Sequence, residues 1–194
     1  GPGDIVEPGR IILVAPPNAL TPTGSTGTPI NPALLPSLDS FNHQRAQMLS
    51  HDLSVLSSPA RSDPDIERKN QAITELIYLH ADEPEAADAL VNEISFVTSR
   101  TAVREFSRDA WHPCYAALKH LGSSATAACL RGLHKLDLDS LADGTDAPAY
   151  KADLMARVIR SVEGDDIAEF IFHREAGKES DPRRRALFES LITK

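Results

Sequence analysis

The chain has 194 residues, 41% of them apolar and 25% charged, with a formal net charge of −8; this suffices for one domain with a real core and lies outside the disordered range. The acidic balance argues against nucleic acid as the partner, because binding a phosphate backbone wants a basic surface. No apolar run approaches the roughly 18 residues that cross a bilayer, so no membrane partner is expected either.

The pattern along the chain begins irregularly. It starts at Gly1-Pro2-Gly3 rather than Met and reads as a piece of a longer protein, with no signal peptide in view. Ile11 to Val14 is the longest apolar run near the N-terminus and is followed by Pro16-Pro17; it reads as one short strand or the tail of an upstream domain. Eight of the 14 prolines and five of the 10 glycines lie in the first 36 residues. Proline bars regular hydrogen bonding and glycine adds backbone entropy, so residues 1–36 read as an arm or linker, and 37–194 as the folded domain.

From Leu38 onward apolar residues recur three or four apart, the period of a helix with one buried stripe. The spacing predicts helices over 38–57, 64–80, 84–97, 99–110, 112–121, 124–136, 148–162, 165–176 and 181–193. Their starts are punctuated by short polar residues before proline: Ser62-Asp63-Pro64 and Ser180-Asp181-Pro182 most clearly, Glu83-Pro84 and Asp146-Ala147-Pro148 less so. Proline suits the first helical position because its missing N–H would have no partner there. Strand signals are almost absent. The expected fold is therefore an all-α, irregular domain of eight to nine helices packed largely as antiparallel pairs.

Few residues suggest chemistry. His112, Cys114, His120, Cys129 and His134 fall within 23 residues, but structural zinc wants ligands paired at spacings that bring four together. His112 and Cys114, two apart, point to different helix faces, and Cys129 and His134 are poorly aligned. Packed cysteines and surface histidines are the simpler expectation, with no metal and no cofactor. The cysteines lie on apolar stripes on either side of the 122–124 turn, as if facing each other across an antiparallel pair. A thiol so buried is inert as a nucleophile, and two cysteines make no disulfide framework. No glycine-rich phosphate loop, G-x-S-x-G or H-E-x-x-H occurs. That leaves surface recognition, at the His120-Leu121-Gly122 turn, where glycine would supply a left-handed cap, or along the helix from Lys151 to Val162 with Met155.

Two families are worth comparing. The Pro-start, A-x₃-L pieces near Pro64, Pro113, Pro148 and Pro182, with the hairpin from His112 to Leu136, loosely resemble HEAT-type helical pairs. Their spacing is less regular than a solenoid's. The chain also resembles the XL-box domain of XopL-type effectors, which plant-pathogenic bacteria inject through a type III secretion system. The resemblance spans about residues 10 to 194. It rests on size, helical pattern, the proline-rich approach, and His120-Leu121-Gly122 about 75 residues before the end. It implies a helical domain that follows leucine-rich repeats and acts as an E3 ubiquitin ligase unlike RING, U-box or HECT types. It implies that His120, Leu121 and Gly122 serve E2 binding, and that the partners are a host E2 ubiquitin-conjugating enzyme, ubiquitin and a host protein substrate, reached by secretion into the host cytoplasm. With no catalytic residue of its own, such a domain would act by positioning a charged E2 beside a substrate lysine. The contrasting expectation is a HEAT-like scaffold without catalysis.

Overall fold

A computed structural model describes Asn31 and residues 37–98 and 108–193. The readings of Ile11–Val14, of the proline-rich linker and of most of the 99–110 helix lie outside these residues. The chain divides into two compact units, Gly1–His51 and Asp52–Lys194. Within the first, the described backbone is Asn31, Ser37 and the opening part of α1 (Leu38–Ser57), whose last residues belong to the second.

The second unit is built from α2 (Asp63–Tyr78), α3 (Pro84–Asn92), the short α4 (Arg108–Trp111), α5 (Pro113–Lys119), α6 (Ser123–Lys135), α7 (Pro148–Glu163), α8 (Asp165–Lys178) and α9 (Pro182–Leu191), with one 3₁₀ turn at Gly144–Asp146. No strand occurs among the described residues. The proline punctuation works as expected from local chemistry. Ser62 accepts a hydrogen bond from the Asp65 amide at 3.3 Å, with Pro64 in the first turn. Asp181 accepts one from the Arg183 amide at 3.0 Å, with Pro182 beside it.

Several helices stop earlier than their apolar periods suggest: α5 ends at Lys119 rather than 121 and α9 at Leu191 rather than 193, and two further ends show why. α2 ends at Tyr78 rather than 80: the His80 amide reaches back to Ile77 O and the Ala81 amide to Leu76 O, and His80 takes a positive φ of 48°. This is a left-handed C-terminal cap formed without glycine. α3 ends at Asn92 rather than 97. There the Ile94 and Phe96 amides bond carbonyls three residues back, tightening the chain into turns. Ile94 stays buried, so its apolar character reports the core and not the helix.

α7 is the hub. It buries Ala152, Leu154, Met155, Ala156, Val158 and Ile159, and packs on α5, α6, α8 and the 3₁₀ turn. α3 packs on α5 and α6, α2 on α5, and α9 on α8. Gly132 of α6 sits where α3 and α7 meet it. A Cβ there would stand 2.6 Å from Val91 Cγ1 and 3.1 Å from Met155 Sδ, so the close approach depends on glycine.

Candidate functional site

The turn between α5 and α6 is closed by local hydrogen bonds. The His120 amide donates to Ala117 O at 3.0 Å and the Leu121 amide to Leu118 O at 3.1 Å, ending α5 in a tightened last turn. Leu121 is buried and anchors the turn, while His120 and Gly122 are exposed. Gly122 has φ 65° and ψ −142°, far from the left-handed cap expected for α5. It serves instead as the N-cap residue of α6, in a region of backbone space that essentially only glycine occupies. A side chain here would point into open space, with no atom beyond its chain neighbours within 4 Å of where a Cβ would stand. Any constraint at this position is therefore conformational rather than steric.

Having no side chain, the N-cap leaves the first amides of α6 without the side-chain acceptor that serine, threonine or aspartate would supply. The local surface thus combines an imidazole, bare backbone and a helix N-terminus. Its flanks are fixed. Lys119 pairs with Asp109 at 2.6 Å and lies over the Tyr115 ring at 4.7 Å. Thr126 donates to Glu163 at 2.8 Å, tying the first turn of α6 to the end of α7.

The other potential ligands are dispersed. His112 is fully buried, not a surface histidine as expected, because its ring ties together three segments. Nδ1 lies 3.3 Å from Phe96 O and Nε2 2.7 Å from the Tyr150 hydroxyl. A carbonyl can only accept, so Nδ1 carries the proton and Nε2 accepts from tyrosine. Burial lowers the His112 pKa below the usual histidine value, against the opposing help of the Phe96 carbonyl. His134 faces Glu175 at 2.9 Å and Glu179 at 3.4 Å and stacks near Phe188. The Glu175 carboxyl is held below the usual range: burial pushes it up, but hydrogen bonds from His134 and Arg174 outweigh that.

Both cysteines are free and fully buried. Burial drives both thiol pKa values far up, with Glu93 adding to the rise at Cys114. A thiol in this state supplies no thiolate at neutral pH. Among the described residues, no three His, Cys, Asp or Glu side chains gather as a metal site would require. Met155 is also buried, with five other side chains of α7, so the helix from Lys151 to Val162 is a core helix and does not offer Met155 for surface recognition.

Two clefts lie elsewhere. One of about 250 Å³ is lined by Asp88, Arg131, Lys135, Lys151 and Met155, and the other of about 430 Å³ by Lys69, Glu93, Phe96 and Asp146; neither includes the 120–122 turn. In the second, buried Lys69 is held by Glu93 at 3.1 Å, Ser58 O at 3.1 Å and the face of Phe96 at 5.0 Å. A mid-helix lysine reads as solvated in sequence, so nothing there announced that Lys69 is buried against a part-exposed Glu93. Among the described residues no helix is long and apolar enough to cross a membrane. Comparison of the chain with protein-family models, with curated proteins and with solved structures finds no match.

Proposed function

We propose that this domain is a non-covalent E3 ubiquitin-protein ligase module of a bacterial effector that acts inside a host cell. It would hold a ubiquitin-charged E2 and favour transfer to substrate lysines. One observation carries the reading: within the His-Leu-Gly tripeptide, Leu121 is buried as an anchor while His120 and Gly122 are exposed beside the open N-terminus of α6. That division of roles suits a docking turn, with one residue fixing the loop and two offered to a partner. The buried thiols favour positioning over a covalent relay, since a ubiquitin thioester needs an accessible thiolate. Positioning raises the effective concentration of the reacting groups without a nucleophile from this chain.

A second reading, a helical scaffold without catalysis, draws support from the packing order. Setting aside four-residue α4, every major packing joins helices that are neighbours or next-but-one in the chain, as in stacked helical repeats. The two readings part in one assay. Purified domain, incubated with E1, a panel of E2 enzymes, ubiquitin and ATP, should build conjugates under the first and none under the second. His120→Ala should then slow conjugation at least several-fold with little change in melting temperature. Wild-type rates in that variant across the panel would remove the turn from the mechanism.

A further inference from the structure

α8 carries apolar side chains on two sides. Ala168, Ile171, Phe172 and Ala176 are buried on the inner side. Ile167 and Phe170, spaced i and i+3, stand outward with 51% and 65% of their surface exposed. A single exposed apolar side chain is ordinary, but two large ones in register on one helix form a stripe that water covers at a cost.

The border of this stripe is acidic. Residues 160–170 hold four carboxylates, Glu163, Asp165, Asp166 and Glu169, against one guanidinium, Arg160. Arg160 is committed inward: it bonds Leu191 O at 2.8 Å and Glu169 at 3.2 Å, and lies 5.3 Å from the Phe172 ring. Asp165 is 82% exposed even with Arg160 at 3.5 Å, and Asp166 is exposed as well. At the far end of the stripe Arg174 and Lys178 share the buried Glu175 at 3.3 and 3.9 Å, so the exposed carboxylates are gathered at its N-terminal end.

We propose that the Ile167–Phe170 stripe is a docking surface for an amphipathic segment of a partner protein whose apolar face is flanked by lysine or arginine. Apolar burial would supply the affinity, and the carboxylates would select the sign of the flanks and speed the encounter. A second copy of this chain is the poorer occupant. Two exposed apolar side chains per copy offer far less area than the roughly 1,200–2,000 Å² that a stable protein–protein interface buries. The position adds a consequence. The Thr126–Glu163 hydrogen bond joins the start of α6 to the end of α7, and Gly164 alone separates α7 from α8. The stripe therefore begins at the same end of the α6–α7 pair as the His120 turn. The docking proposal itself does not depend on the ubiquitin reading.

The test uses two fluorescein-labelled amphipathic peptides of about five helical turns, one built of leucine and lysine and the other of leucine and glutamate, titrated into the intact chain. The lysine peptide should bind saturably and the glutamate peptide should not. Ile167→Ser with Phe170→Ser should weaken binding on the order of tenfold, with far-UV circular dichroism and melting temperature unchanged because both side chains are exposed. Asp165→Asn with Asp166→Asn should weaken it several-fold and flatten its salt dependence. Three results would each overturn the proposal. They are no binding of the lysine peptide, undiminished binding to the apolar double variant, and a wild-type dimer in sedimentation that Phe170→Ser dissociates.

Discussion

His112 shows how one buried side chain sets a pH response. Its ring is neutral in the fold because burial lowers its pKa, while in the unfolded chain it titrates near its ordinary value of about 6.5. The unfolded state therefore binds more protons once the pH falls below that value, and stability is lost progressively from there downward. The urea midpoint should fall between pH 7.5 and 5.5, and His112→Gln should flatten that slope while lowering the midpoint at pH 7.5. The cysteines give a second residue-scale expectation. Each Cys→Ser exchange places a hydroxyl in an apolar site and should cost about 1–3 kcal/mol, and both wild-type thiols should resist a thiol reagent until the chain is denatured. Glycine supplies an internal control. Gly132→Ala drives a methyl group to 2.6 Å from Val91 Cγ1 and should destabilise by about 1–3 kcal/mol through overpacking. Gly177→Ala meets nothing within 4 Å near the end of α8, and should raise stability by a few tenths of a kcal/mol.

The helix ends are secured in two different ways. At the N-termini of α2 and α9 the capping side chain lies next to its helix in sequence, so Ser62 and Asp181 were legible from the residue order alone. The C-terminus of α6 is secured from a distance. Arg184 on α9 donates to Leu133 O at 2.6 Å and to Leu136 O at 2.9 Å. Leu133 O is one of the carbonyls that a helix end leaves without an internal partner, and Leu136 is the C-cap residue just beyond it. In sequence Arg184 is one member of a basic run, with no mark of this role. Arg184→Ala should cost about 1–2 kcal/mol in chemical denaturation, the lower range for hydrogen bonds from a charged donor because the site is only half-buried. Arg183→Ala should cost much less, since its ion pair with Asp139 is exposed on both sides.

For the domain as a whole, the packing predicts a gradient of local stability. α7 touches four other elements and buries side chains around most of its circumference, whereas α9 rests chiefly on α8. Amides of α7 should exchange with solvent only through global unfolding, and those of α9 through a cheaper partial opening; equal protection in both would contradict the gradient. The sequence by itself determined the all-helical class, the starts of the helices and the apolar stripes, because period and capping are local properties carried by neighbouring residues. It also marked a turn at 120–122, but as a left-handed end of α5, whereas Gly122 is the N-cap residue of α6. It overran the ends of α2, α3, α5 and α9, most of all at α3, where the chain tightens into turns while its apolar residues still serve the core. It read His112 as a surface residue and Met155 as part of an exposed face. Tertiary structure decided those points: His112 meets Tyr150, 38 residues away in the chain, and Met155 meets Gly132 across a helix crossing. Burial of this kind is a property of neighbours brought together by folding, and no local period encodes which neighbours those will be.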